Sequence, residues 1–145
     1  MKEVCPRGVE LADFDGCPDR WSPLKIHKAA YYDPTLNDGI GGYFLFATRQ
    51  NTAPTNNPAA TSGAIANYLQ GPIYSVTESE VFSPTQNYLT DVGVFATSVS
   101  AYGNLDQNGN VYQWKDLTGE RGLYRGLRGG FWAGGAVTLQ STTFT

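Results

Sequence analysis

The residue types needed for nucleophilic, acid–base or redox-metal chemistry are scarce in this sequence. His27 is the only histidine, and the two cysteines, Cys5 and Cys17, both lie in the first segment. A facial iron triad needs two histidines, and a Ser–His–acid set would have to recruit His27 without any G-x-S-x-G motif. The cysteines form no C-x-x-C pair, so they indicate one local disulfide or two inert thiols rather than a metal site. We therefore interpret His27 as a partly exposed helix residue.

The densest run of oxygen- and amide-bearing side chains is Asp106-Gln107-Asn108-Gly109-Asn110. Asp, Asn and Gly in this order are typical of an Asx-type turn, in which the side chains bond to the nearby backbone. A purely structural turn is thus one interpretation of this run.

Three arginines, at positions 121, 125 and 128, cluster near the end of the chain. Their spacing suits a strand on which they are solvated or paired with Asp116 and Glu120. An anion-binding site is the alternative, and the pattern favours it less.

Composition restricts the class of partner. The formal net charge is −3, and no Lys or Arg occurs between Arg49 and Lys115. Nucleic-acid binding needs a basic track along the phosphates, so it is not expected. No apolar run is long enough for a membrane span, and the first five residues lack the apolar region of a signal peptide. The chain is accordingly either cytoplasmic or a piece of a longer secreted protein.

The first half of the chain should supply one helix and little regular strand. Residues 1–21 are predicted to be an irregular leader. Ser22-Pro23 predicts a helix start, because Ser is a good N-cap and Pro suits the first helical position, and Asp33-Pro34 predicts its end. A turn at 37–42 leads into a strand over 43–48 that we expect to be buried on both faces. Residues 50–64 read as an exposed loop, and 73–76 as a short strand.

The second half should position the polar run between strands. Strands are predicted over 111–117, 123–132 and 139–145, the second interrupted by Gly126, Gly129 and Gly130. Trp114 and Trp132 are expected to point inward and to pack on the 43–48 strand. Tyr112 is the candidate for an exposed ring that stacks on carbohydrate.

Several motifs in a fixed order carry a family resemblance over residues 28–145. The segment "KAAYYDPTLNDGIGGYFLFATRQNTAPTNN", the tripeptide "ANY", "VGVFATSVSAYGNLDQNGNVYQW" and "RGLRGGFW" follow one another. This series resembles the formylglycine-generating enzyme (sulfatase-modifying factor) family, in which the last two read "GNVWEW" and "RGGSW". The resemblance implies an α+β, C-type-lectin-like fold, loop-rich, with short antiparallel strands and few helices. It places one domain at 22–145, apparently without the family's C-terminal strand.

The resemblance also implies a calcium site at the polar run. Carried over, the ligands are the side chains of Asp106 and Gln113 and the carbonyls of Gly109 and Val111. The family has Asn and Glu at the two side-chain positions, so one carboxylate is kept at the opposite end of the site. Calcium accepts such a mixture of oxygens. A second family site would begin at Asn67, but its acidic partner is not recognisable near 84–86.

The same resemblance argues against the family's oxidative chemistry. Formylglycine-generating enzymes use two cysteines just beyond "RGGSW", which bind copper(I), whereas no cysteine follows Trp132 here. The sequence therefore favours a calcium-stabilised binding or structural module without that activity. We expect its ligand to be a protein or a carbohydrate, recognised by loops 50–64 and 77–90. The family suggests an extracellular or periplasmic location. The alternative is a metal-dependent oxidoreductase of the same family with an unrecognised site.

Overall fold

The computed structural model describes residues 23–116 and 125–143. Within these ranges, one α-helix, α1 (Pro23–Tyr31), precedes six short strands and a 3-10 helix. The strands form three separate two-stranded antiparallel pairs. The predicted leader and the cysteines lie outside the described residues, as do Glu120, Arg121 and parts of the last three predicted strands. The described part has the expected coarse class, α+β and loop-rich with short antiparallel strands.

Helix α1 starts where the sequence predicts, with Pro23 as its first residue. It ends at Tyr31 and passes directly into β1 (Tyr32–Asp33), which pairs with β2 (Gly42–Tyr43). His27 on the helix is partly buried, as expected, and its ring stacks on Tyr43 with 4.9 Å between centroids. Ala30 and Tyr31 bury the inner side of the helix against Ala47.

The predicted buried strand over 43–48 is wrong. Only Gly42–Tyr43 is strand, and the Tyr43 side chain is 49% exposed. The chain turns back beyond it, because the Phe46 amide donates to the Gln50 carbonyl at 3.0 Å. Arg49 adopts a φ of 58°, which is a turn conformation rather than an extended one. Phe46 and Ala47 are nevertheless buried.

A hairpin forms near the end of the chain, from β5 (Gln113–Asp116) and β6 (Arg125–Arg128), with Trp114 opposite Leu127. The predicted strands are present but shorter, and β6 ends where Gly129 and Gly130 take positive φ angles. Arg128 is buried, and its Nη1 donates to the Ser141 carbonyl at 2.6 Å. The expectation that it is solvated is therefore wrong, whereas the alternative of pairing with Asp116 or Glu120 rests on side chains outside the described residues. Burial lowers the pKa of the Arg128 guanidinium.

The two tryptophans do not share the predicted role. Trp114 is 67% exposed, so its assignment to the core is wrong. Trp132 is partly buried, but it stacks on Tyr88 with 4.8 Å between centroids instead of packing on the 43–48 segment. Tyr74 and Phe82 complete this aromatic cluster. Tyr112 stacks on Phe131 at 4.8 Å.

The predicted last strand, over 139–145, is also wrong within its described part. A 3-10 helix occupies Ala136–Leu139, and residues 141 and 142 form a turn. The Thr138 hydroxyl donates to the Gly135 carbonyl, which favours the tight helical turn over an extended strand. Leu139 is fully buried with Phe46, Ala66 and Tyr68.

The middle of the chain is mostly irregular, as predicted. Two short strands, β3 (Leu69–Gln70) and β4 (Ile73–Tyr74), pair with each other, and β4 falls within the predicted strand at 73–76. The predicted loop over 50–64 is tied to the body by a bridge between Thr55 and Ile65. None of the helices in the described ranges is long and apolar enough to cross a membrane.

Candidate functional site

The predicted site residues converge on one turn, residues 106–110, which we name the junction turn. Asp106, Gly109 and Asn110 all take positive φ angles, of 56°, 77° and 63°. Asn and Asp tolerate this left-handed conformation better than other side chains do. The turn therefore depends on the residue types that mark it in the sequence.

Gly109 is required at the centre of the junction turn for a second reason. It lies beside Asn67 in a parallel bridge. A Cβ atom at position 109 would overlap the Asn67 carbonyl oxygen and lie 2.8 Å from the carbonyl carbon. No larger residue fits without moving one of the two backbones, so this glycine fixes how closely they approach.

Asn108 anchors the junction turn in the protein interior. Its Oδ1 accepts a hydrogen bond from the Ala47 amide at 2.8 Å, and its Nδ2 donates to the Leu139 carbonyl at 2.8 Å. Tyr31 donates its hydroxyl to the same carbonyl at 2.9 Å. Burial raises the pKa of this tyrosine, although the bond from Asn108 and the charge of Arg128 act in the opposite direction. The hydroxyl thus stays protonated and able to donate at neutral pH.

Asn110 holds a neighbouring loop, residues 88–94, which we name the strap. Its Nδ2 donates to the Thr90 carbonyl at 3.0 Å, and its Oδ1 accepts from the Thr90 amide at 3.0 Å. The same Oδ1 accepts from Asn67 Nδ2 at 3.1 Å. Asn67 Nδ2 also donates to the Tyr88 carbonyl at 2.8 Å. Two asparagine side chains therefore fix the start of the strap to the junction turn.

Asp106 holds the other end of the strap. Its Oδ2 accepts a hydrogen bond from the Gly93 amide at 2.7 Å. Its backbone carbonyl accepts one from Gln113 Nε2 at 2.9 Å. Gly129 packs beside these groups, because a Cβ there would lie 2.8 Å from the Gln107 carbonyl oxygen and 3.9 Å from Gln113 Cδ. The carboxylate of Asp106 thus joins the strap to the junction turn, and its backbone carbonyl joins Gln113 to it.

A small cavity borders the same turn. Its volume is about 10 Å³, and its lining includes Thr48, Ser98, Asp106 and Asn108. Such a space holds roughly one water-sized atom. The Thr48 hydroxyl oxygen is buried there without a hydrogen-bond partner among the described residues. Asp106 therefore contacts the strap and also lines a water-sized space, whose other walls include the apolar side chains of Ile65 and Phe95.

The proposed calcium ligands can be compared with this geometry. Bridging and hydrogen bonds bring four of the predicted residues, Asn67, Asp106, Gly109 and Gln113, to the junction turn, and Val111 follows it directly. Asp106 offers one carboxylate, Gln113 an amide oxygen, and the backbone adds carbonyls. This all-oxygen donor set fits calcium chemistry. In the structure, however, the Gln113 amide nitrogen already contacts the turn directly, as a glutamate in its place could not.

Other kinds of metal site in proteins are built from several histidine, cysteine or carboxylate side chains that lie close together. In the described ranges, no group of three or more His, Cys, Asp and Glu side chains lies close enough together to hold an ion. The calcium ligands proposed here do not form such a group, since all but one are amide or carbonyl oxygens. A cation at the junction turn would thus be held mainly by neutral oxygens.

Sequence reasoning missed Asn108 and Asn110 as individual residues, since it treated them only as parts of a turn motif. Their partners lie far away in the sequence, at Ala47 and Leu139 for Asn108 and at Thr90 for Asn110. The strap was missed as well, although its seven residues include Leu89, Val92 and Val94, whose side chains are all exposed. The run of aliphatic residues around Asp91 was the available signal.

Comparison with known proteins adds no identity to this description. Neither the scan against protein-family models nor the search of curated proteins gives a match for the chain.

Proposed function

We propose that this chain is a domain of the sulfatase-modifying-factor family with a C-type-lectin-like fold, acting outside the cytoplasm as a calcium-stabilised binding module without formylglycine-generating activity. The motif order over residues 28–145 supports the family, and the α+β class of the described part is compatible with it. The observation that carries the binding function is the strap, a loop with exposed apolar side chains held on an ordered polar base.

The recognition surface of this module is the strap together with the exposed end of the aromatic cluster. Leu89, Val92 and Val94 are 44%, 90% and 54% exposed, and Phe82 is 53% exposed. Loops on a rigid scaffold commonly carry recognition, and clustered exposed apolar side chains are typical of binding sites. The predicted loop at 77–90 is thus part of this surface, which continues beyond it to residue 94.

Calcium would act on this surface through the junction turn. In the proposed site, the Asp106 carboxylate, the Gln113 amide oxygen and the carbonyls of Gly109 and Val111 hold the ion. Asn67 contributes by joining Asn110 of the turn to the Tyr88 carbonyl of the strap. Since Asp106 also accepts the Gly93 amide, an ion beside this carboxylate would stiffen the attachment of the strap.

Thermal unfolding with calcium and with a chelator tests the proposed site. We expect calcium to raise Tm by mass action. Asp106→Asn removes the only carboxylate and should weaken calcium binding by about tenfold, or 1.4 kcal/mol. Adding Gln113→Glu to that variant restores a carboxylate at the family's position and should recover the affinity. The matched control, Asp38→Asn, removes an exposed carboxylate elsewhere and should change nothing. If calcium changed the Tm of neither the wild type nor any variant, the calcium site would be refuted, but the binding surface would not.

A further inference from the structure

Five of the twelve large apolar side chains that are exposed in the described ranges fall between residues 81 and 94. They are Val81, Phe82, Leu89, Val92 and Val94. Solvated loops normally carry polar side chains at such positions, and exposed apolar groups gathered in one segment mark a surface that another molecule covers.

The charged residues that neighbour this segment in the sequence all have the same sign. Between Arg49 and Lys115 the sequence has four acidic residues and neither Lys, Arg nor His. Three of the four acids are exposed: Glu78 and Glu80 lie just before the segment, and Asp91 lies within it. The charges that this segment itself contributes are therefore all negative, and positive charge in a partner would complement them.

Contacts within the protein itself hold the residues that underlie this surface. Phe82 stacks on Tyr88 with 5.6 Å between centroids and on Trp132 with 6.3 Å. The Ser83 amide donates to the Tyr88 hydroxyl oxygen at 2.8 Å. Together with the bonds from the junction turn to Thr90 and Gly93, these contacts reduce the conformational entropy that binding would cost.

We infer that this surface binds a protein segment in which an aliphatic or aromatic side chain is flanked by Lys or Arg. This inference rests on the proposed binding function and names the partner class. Carbohydrate is less suitable, because four of the five exposed side chains are valine or leucine, which offer neither flat rings nor hydrogen-bonding groups to sugar hydroxyls. An apolar anchor that enters a fixed surface, with charges at its rim, is instead the usual anatomy of a protein interface.

Selection of peptides on the intact chain tests the inference. A phage-displayed library of random peptides is panned on the immobilised protein, and a glycan array is probed in parallel. Enriched peptides should combine an apolar anchor with Lys or Arg. Val92→Ser should weaken their binding by at least about tenfold, or 1.4 kcal/mol. Ile40→Ser removes a side chain that is 83% exposed in the turn before β2 and is the matched control. Unchanged circular dichroism and Tm would show that both variants fold.

Charge is tested separately on the same peptides. Asp91→Lys should weaken binding, whereas Asp38→Lys, in the turn before β2, should not, and added salt should reduce the difference between the two variants. If the strap-dependent binders are neutral or acidic peptides or glycans, the partner class is refuted and the binding module stands. If no probe depends on Val92, both the inference and the proposed recognition surface are refuted.

Discussion

Two turns of this protein are built from the same residue types and have different structural roles. The surface turn, residues 36–41, contains Asn37-Asp38-Gly39, and the junction turn contains Asn108-Gly109-Asn110. Both use positive φ angles at non-glycine residues. Yet Asn37, Asp38 and Gly39 are exposed, whereas Asn108 and Gly109 are buried.

The difference lies in what the amide side chains reach. Asn37 Nδ2 donates to Gly41, four residues away. Asn108 bonds to Ala47 and Leu139, which are 61 and 31 residues away in the sequence. One turn reverses the chain locally, and the other joins three distant segments. The role of an Asx turn is therefore set by its tertiary partners and not by its residue types.

Replacing a glycine of each turn, Gly109 or Gly39, by alanine should give the largest difference in the loss of unfolding free energy. Gly109→Ala forces the Asn67 backbone away and strains a φ of 77°, so we expect a loss of about 3 kcal/mol or more. Gly39→Ala meets no atom within 4 Å and should lose only about 1 kcal/mol from its positive φ. Urea unfolding measures both, and equal losses would mean that the close approach at Asn67 is not a constraint.

Replacing an asparagine of each turn by alanine should give a smaller difference in the loss of unfolding free energy. Asn108→Ala leaves the buried Ala47 amide without its acceptor and should lose about 2–3 kcal/mol. Asn37→Ala removes one exposed hydrogen bond and puts alanine at a φ of 53°, so it should lose about 1 kcal/mol. Hydrogen exchange gives a residue-specific check, since the Ala47 amide should lose protection in the first variant and keep it in the second. Unchanged protection at Ala47 would argue against the proposed anchor.

The two turns should also differ in their response to acid. Asp33, next to the surface turn, is buried, and hydrogen bonds from Thr35 hold the pKa of its carboxyl below the ordinary 3.8, with help from Arg49. A lowered folded pKa gives stability that is present above 3.8 and lost as the pH falls through the folded value. The contacts of the junction turn with Ala47 and Leu139 in the interior, in contrast, are made by the neutral amide of Asn108.

Melting temperatures measured between pH 5 and pH 2 test this difference. Asp33→Asn should flatten the fall in Tm below pH 4, because the group that takes up a proton on unfolding is gone. Asp38→Asn removes an exposed carboxylate from the surface turn itself and should change the slope less than Asp33→Asn does. A slope that is the same in both variants and the wild type would assign the acid sensitivity to other carboxylates.

Local signals in the sequence predicted the elements that local chemistry determines. Pro23 marked the start of α1, because backbone preferences act within a few residues. Gly129 and Gly130 were predicted to interrupt a strand over 123–132, whereas β6 ends before them. The strand over 43–48 failed because Gln50 and Asn51, from the following loop, capture the amides of Phe46 and Leu45. Strand propensity could not reveal that acceptors in the following loop compete with a partner strand for these amides.

The position of the candidate site in the sequence was predictable, but the contacts that its side chains make were not. The motif identified the 106–110 segment, whereas the roles of Asn108, Asn110 and the strap depend on partners that are distant in the sequence. The tryptophans show the same limit. Trp132 finds Tyr74, Phe82 and Tyr88, while Trp114 remains mostly exposed. Nothing within either local sequence distinguishes the two.

The smallest expected change in stability comes from relieving backbone strain at a residue with a positive φ. Asp38 has a φ of 56° and an exposed side chain, so Asp38→Gly relieves strain while loosening the unfolded chain, for a net gain of at most about 0.5 kcal/mol. Asn37→Gly relieves similar strain but removes the bond to Gly41 and should give no gain. Asn110→Gly should destabilise the protein, because that relief is outweighed by its bonds to Thr90 and Asn67. If urea unfolding showed a gain for Asn110→Gly as well, the hydrogen bonds of the junction turn would contribute less than its strain costs, and the contrast between the two turns would fail.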